Sequence, residues 1–152
     1  MGWNDDDDVT PREIQQAVER HDLDEVKRLF EERPEFLRDA DGLDIWLNNA
    51  SWGGDLPLVK LLVDLGIGVN EPHDKELPEG PMGGAAAEGH IHVVQWFLDH
   101  GVNVNHVYKG RRRSMPLMSA AWRGHLEVVK LLCAHGADIH ASWHCMNALT
   151  GC

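Results

Sequence analysis

The sequence predicts an all-α solenoid of stacked antiparallel helix pairs with long connecting loops, and three observations support this fold class. Segments 54–70, 89–105 and 124–140 align with one another without a gap, at a spacing of 35 residues. Within each segment, apolar residues recur at three- and four-residue intervals, which is the pattern of one face of an α-helix. A glycine follows each long helical pattern, where a left-handed residue commonly ends a helix.

The repeats also define the domain organisation. Segment 21–37 aligns with the others at an offset of 33 residues, which raises the number of copies to four. One helix pair cannot bury its apolar stripe alone, so stacking of at least three copies is needed to form a core. We expect an acidic tail at 1–9 and a repeat domain at 10–152. The copies are expected at about 10–42, 43–78, 79–113 and 114–146, with the start of a fifth at 147–152.

Turn-forming residues separate the copies and predict the connecting loops, here called fingers. They begin with Asp41-Gly42 after the first copy and continue with proline and glycine at 72–81 and 110–116. Glycine and proline in these combinations are typical of turns and loops.

The last two copies carry a recognisable motif. They read GPMGGAAAEGHIHVVQWFLDHGVNVN at 80–105 and MPLMSAAWRGHLEVVKLLCAHGADIH at 115–140. Both resemble the ankyrin repeat pattern TPLHxAAxxGHxxVVxxLLxxGADVN, and the resemblance extends over about residues 10–152. It implies an ankyrin-repeat solenoid that binds another protein. The family's TPLH tetrapeptide, whose Thr and His tie adjacent repeats, instead reads IWLN at 45–48, GPMG at 80–83 and MPLM at 115–118.

Composition narrows the function classes. The chain has 25 acidic and 14 basic side chains and a net charge of −11, which disfavours binding to nucleic acid or anionic lipid and favours a basic or neutral protein partner. No apolar run is long enough to span a membrane, and the N-terminal MGWNDDDD is unlike a secretory signal, so we expect a cytoplasmic protein. The three cysteines lack a CxxC spacing. We expect no cofactor, and a monomer unless the open C-terminal end pairs.

The ankyrin resemblance also implies where a partner binds, because the open side of the first helices and the fingers form a concave face in that family. Trp52 and Trp122 occupy the same repeat position on either side of Ala87, which suggests two aromatic walls around a shallow floor of Gly84 and Ala87. Tryptophan is enriched at binding hot spots. The alternative is that both rings only cover neighbouring repeats. The helix-end residues expected to bind a partner are Asn49, Trp52, Glu88, Ser119, Trp122 and Arg123.

Two neighbouring fingers differ in charge. The finger at 70–80 is acidic and the finger at 105–115 is basic, so they could pair with each other or steer a partner whose surface carries both signs. The finger residues expected to contact a partner are Glu76, Tyr108, Arg111, Arg112 and Arg113.

Motifs of catalysis are absent from the sequence. It has no HExxH or GxSxG, and the glycine-rich stretch at 80–89 lacks the lysine and hydroxyl of a phosphate-binding loop. The best metal candidates, His140, His144 and Cys145, are one ligand short of a closed zinc site. We therefore expect a non-enzymatic binding module. By fold-level analogy, one hypothesis for its role is inhibition of a partner, as in immunity proteins that mask a toxin. The alternatives are a fragment of a larger ankyrin scaffold and a metal- or thiol-dependent activity at the C-terminal His/Cys cluster.

Overall fold

A computed structural model of the protein describes residues 11–38, 40–69, 80–105 and 115–139. Over these residues the only regular secondary structure is helical, which confirms the predicted all-α class. The helices are α1 (Pro11–Glu19), α2 (Leu23–Glu32), α3 (Glu35–Arg38), α4 (Ala40–Trp52), α5 (Leu56–Asp64), α6 (Gly80–Ala87), α7 (Ile91–Asp99), α8 (Pro116–Trp122) and α9 (Leu126–Ala134).

The helices form two layers. Helices α1, α4, α6 and α8 pack side by side in the first layer, and α2, α5, α7 and α9 do so in the second. Each first-layer helix also contacts the second-layer helix that follows it in the chain. The two helices of a pair are joined by three residues, which makes them antiparallel neighbours. The predicted stack of helix pairs is therefore confirmed.

A single hydrophobic core runs through all four pairs, from Ile14 on α1 to Leu132 on α9. Helix α6 lies at its centre in the first layer, between α4 and α8, and every one of its eight residues is buried. Its sequence, GPMGGAAA, explains this position, because residues with little or no side chain let three helices approach closely. The absence of an apolar stripe on α6 is consistent with a helix that is covered on all sides.

The predicted glycine caps are confirmed, since Gly66, Gly101 and Gly136 all have positive φ after the second helix of their pair. The turn predicted at Asp41-Gly42 is wrong, because α4 runs from Ala40 to Trp52 and includes both residues. An Asp-Gly pair favours a tight turn mainly between strands. One glycine in a helix costs only about 1 kcal/mol, which the remaining turns of α4 can offset.

Adjacent pairs are tied by side chains outside the TPLH positions. His90 Nε2 donates to the backbone oxygen of Trp52 at 2.9 Å, and His92 Nε2 donates to that of Gly54 at 3.0 Å. These bonds satisfy carbonyls near the end of α4, which lack partners within the helix. Between the first two pairs the chemistry differs, because His21 takes the place of the turn glycine, at φ 56°, and its ring contacts the Asp55 carboxylate.

Asn105 forms a double tie between the last two pairs. Its Nδ2 donates to the backbone oxygen of Gly136 at 3.2 Å, and its Oδ1 accepts from the backbone nitrogen of Asp138 at 2.7 Å. The side-chain amide thus pairs with backbone of the next copy much as a neighbouring strand would. This arrangement holds the loop after α7 against the loop after α9.

We expect Asn105→Ala to lower the free energy of unfolding by about 1–2 kcal/mol, because two hydrogen bonds between copies are lost. The measurement is urea denaturation followed by circular dichroism. Asn103→Ala is the matched control, since Asn103 only accepts a local bond from the Asn105 backbone. Equal losses in the two variants would show that the tie between copies contributes no more than a local turn.

Candidate functional site

The helix-end residues predicted to bind a partner lie on one edge of the first layer. Trp52, Ala87 and Trp122 are the last residues of α4, α6 and α8. The next position in each copy holds Gly53, Glu88 or Arg123. These positions lie at the same edge because each of the three copies joins its two helices by a three-residue turn and continues with a second helix of nine residues.

Trp52 is packed against α6 rather than standing beside an open floor. A Cβ atom placed on Gly84 would overlap the Trp52 indole and would lie 2.7 Å from Cε2, so the ring occupies the space that a side chain on Gly84 would need. Gly84 and Ala87 are both buried. The expected pair of aromatic walls around an open Gly/Ala floor is therefore wrong, because one of the two rings covers the glycine.

Arg123 covers Trp52 from the solvent side. Its guanidinium carbon lies 5.8 Å from the centroid of the Trp52 ring, and its Nη1 lies 2.8 Å from Oε1 of Glu88. One arginine thus connects the second, third and fourth copies. A cation over an aromatic face contributes about 0.5–1 kcal/mol at an exposed site. A surface ion pair contributes about 0–1 kcal/mol. Both contributions to the stability of the fold are small, and the main effect of the two contacts is to hold the guanidinium in one orientation.

Trp122 occupies the same repeat position as Trp52 but is 71% exposed. The reason is its place in the stack: Trp52 has α6 and Arg123 beside it, whereas α8 is the last first-layer helix among the described residues. The alternative that both rings only cover neighbouring repeats thus describes Trp52 and not Trp122. A ring this exposed leaves a large apolar area in contact with water, and burying that area against another surface is favourable.

The other helix-end residues predicted to bind a partner differ in their exposure to solvent. Asn49 and Glu88 are exposed on this edge, whereas Ser119 is buried and presents little surface to a partner. Its repeat position alone did not reveal this burial, because the equivalent Asn49 is exposed. We call the helix-end residues other than Ser119 the Trp–Arg surface: Asn49, the half-buried Trp52, Glu88, Trp122 and Arg123.

Two buried polar atoms at this edge were not anticipated from the sequence. Asn48 Oδ1 and Trp52 Nε1 lie one helical turn apart on α4, and neither has a hydrogen-bond partner. Leaving such a group unpaired costs about 1–3 kcal/mol. The only signal in the sequence was that Asn48 replaces the small or apolar residues of the later copies, Gly83 and Met118.

Several predicted residues lie outside the described part of the chain. They are the finger residues Glu76, Tyr108, Arg111, Arg112 and Arg113, and the metal candidates His140, His144 and Cys145. Among the described residues, no group of three or more His, Cys, Asp or Glu could hold a metal ion. None of the helices in this part is both long and apolar enough to cross a membrane.

Comparison with known proteins gives one finding. A family model of ankyrin repeats, in three copies, matches residues 47–142. This range begins inside α4 and includes α5 to α9, so it contains the third and fourth helix pairs and the second from residue 47 onward. A search of curated proteins found no match.

Proposed function

Because the chain belongs to the ankyrin repeat family, whose repeats generally serve as protein–protein interaction modules, we propose that it is a non-enzymatic module that binds a partner protein through the Trp–Arg surface. The family places its recognition residues on the concave side of the first helices, and the Trp–Arg surface lies at the ends of those helices. The exposed Trp122 is the observation that carries the proposal.

Trp122 supplies the kind of contact that dominates binding energy. Hot-spot residues are enriched in Trp and Arg and lie in a central area that becomes desolvated. Here an exposed Trp adjoins an Arg whose guanidinium is already held by Glu88 and Trp52. Because that arginine is held before binding, the complex loses less side-chain entropy than it would with a freely moving one.

Charge supports a protein partner with a basic or neutral surface. The net charge of −11 attracts basic proteins over long range and speeds their encounter. Arg123 does not reverse this preference locally, because Glu88 offsets its charge at 2.8 Å. Long-range attraction therefore comes from the net charge of the chain, and local recognition from the Trp–Arg surface.

The test is capture of partner proteins from a lysate of the source cell, with the purified chain as bait and mass spectrometry as the readout. Trp122→Ala should weaken capture of the specific partner by at least about tenfold, since a hot-spot truncation costs 2 kcal/mol or more. The helical circular dichroism spectrum should not change, because the ring is exposed. Trp122 is replaced alone, since Trp52 also packs against α6.

Ile91→Ala is the control for removing an exposed apolar side chain, because Ile91 is 42% exposed and belongs to the second layer. It should capture the partner as well as the unsubstituted chain. A partner held equally by the Trp122→Ala variant would show that binding uses a different surface.

An inhibitory role is a narrower form of the same proposal. If the captured partner is an enzyme or a toxin, its activity should fall in proportion to the complex formed, and Trp122→Ala should restore it. The alternative metal- or thiol-dependent activity is tested separately by elemental analysis of the pure protein and by Cys145→Ser.

A further inference from the structure

The side of the fourth helix pair that looks away from the third is incompletely covered. At three equivalent positions the third copy is buried and the last copy is not. Ala121 is half-buried where Ala86 is fully buried, and Val129 is half-buried where Val94 is fully buried. Met118 is half-buried where Gly83 is buried. The third copy is followed by another helix pair, whereas no described helix pair follows the fourth.

Three further positions show the same trend. Leu126 is 61% exposed, whereas its equivalent Ile91 is 42% exposed. Ile139 is 48% exposed where Val104 is half-buried, and Cys133 is exposed where Leu98 is half-buried. We call this surface the terminal face: Met118, Ala121, Leu126, Val129, Cys133 and Ile139.

The terminal face continues the interface that already joins the copies. The second pair packs against the third, and the third against the fourth, through the contacts α4 to α6, α6 to α8, α5 to α7 and α7 to α9. The terminal face is the fourth pair's counterpart of the surfaces at which the earlier pairs meet the next pair. Exposed apolar patches of this kind mark interaction sites.

From this continuity we propose that a second copy of the chain binds the terminal face, so that two solenoids join by their C-terminal ends around a two-fold axis. Such a contact is closed, because each molecule uses the same surface and the terminal faces of both molecules are occupied. The surface differs from the Trp–Arg surface, although Trp122 lies near its border. The inference does not depend on the proposed function.

Charge and polarity disfavour the other ways of joining two copies. Residues 1–79 contain 21 acidic and 8 basic side chains, whereas residues 80–152 contain 4 acidic and 6 basic ones. Two N-terminal ends would therefore repel each other, and C-terminal pairing keeps them far apart. Head-to-tail joining would press the apolar terminal face against the first copy. That copy exposes polar side chains on α1: Arg12, Glu13, Gln15, Gln16 and Glu19.

The test measures the mass of the full chain by sedimentation over protein concentrations from about 1 μM to about 1 mM, the range in which small, transient interfaces form. We expect a concentration-dependent dimer that strengthens with added salt, because salt screens repulsion between two acidic molecules and leaves apolar contact intact. A head-to-tail contact between opposite charges would instead weaken with salt.

Leu126→Glu is the decisive variant. It places a charge on an apolar residue of the terminal face that is 61% exposed and should raise the dimer dissociation constant at least about tenfold, because an unpaired charge is costly to bury. Position 126 is the first residue of α9, where an acidic side chain favours the helix, so the fold should be retained. Ile91→Glu is the matched control at the same repeat position one copy earlier and should leave the dimer unchanged.

Cys133 gives a second readout. In a chain with Cys145→Ser and Cys152→Ser, alkylation of Cys133 should slow as protein concentration rises, since the dimer covers this thiol. Three results would overturn the proposal. One is a monomer at every concentration with Cys133 fully reactive. Another is a monomer whose Cys133 becomes reactive only after removal of residues 140–152, which would identify that segment as the cover. The third is a dimer that Leu126→Glu does not weaken.

Discussion

Replacing Gly84 with alanine should lower the free energy of unfolding by about 2 kcal/mol or more, although alanine normally favours a helix. The new methyl group would occupy the space of the Trp52 indole, so the ring must leave its place on α6. Overfilling a packed site costs about 1–3 kcal/mol, and exposing an indole loses further buried apolar area. The measurement is urea denaturation, with tryptophan fluorescence reporting any movement of the ring.

Two comparisons isolate the Trp52 contact. Gly53→Ala is the first, because the nearest atom to a Cβ there is Asn49 O at 3.4 Å, and its effect should be small. The second places Gly84→Ala in a Trp52→Ala background. There the substitution should stabilise the protein by about 0.5–1 kcal/mol, which is the usual gain for alanine over glycine in a helix. If Gly84→Ala is equally harmful with and without the indole, the ring does not explain the glycine.

Gly54→Ala should be still more destabilising, by about 2–4 kcal/mol, because two costs combine. Gly54 has φ 71°, and an L-residue in this region costs about 1–2 kcal/mol. A Cβ atom there would also lie 2.5 Å from His90 Nδ1. The ring cannot move aside freely, since its Nε2 is bonded to the Trp52 backbone oxygen. Overfilling this contact adds about 1–3 kcal/mol.

Gly124→Ala separates the two costs. Gly124 has φ 79°, close to that of Gly54, but a Cβ atom on it would meet nothing within 4 Å. It should therefore lose only the backbone contribution of about 1–2 kcal/mol. The difference between the two variants, measured by urea denaturation, is the contribution of the histidine contact. Equal losses at positions 54 and 124 would mean that the His90 ring adds no steric cost.

The helix pairs and their order could be predicted from the sequence because both follow from local signals. Apolar spacing identifies the residues that form helices. Gly66, Gly101 and Gly136 follow the second helix of their pairs with positive φ. The incorrect prediction of a turn at Asp41-Gly42 also rested on a local signal. In that case the pair lies within a helix of 13 residues, whose other turns outweigh the preference of one glycine.

Ties between copies were harder to predict, since they involve residues far apart in the chain. The altered TPLH positions did not reveal that His90, His92 and Asn105 bond to neighbouring copies. The unpaired polar atoms of Asn48 and Trp52 belong to the same class of feature. These hydrogen bonds and unpaired atoms depend on the distances between helices of different copies, and the sequence of a single repeat does not determine those distances.

The sequence by itself determined the repeat length, the helix pairs and the edge on which the predicted binding residues would lie. Only the tertiary structure decided that Trp52 is covered and Trp122 is exposed, although both occupy one position of the repeat. The physical reason is that exposure depends on what lies beside a residue in the stack. Gly84 and Arg123 enclose Trp52, and no described helix lies beyond α8 to enclose Trp122 in the same way.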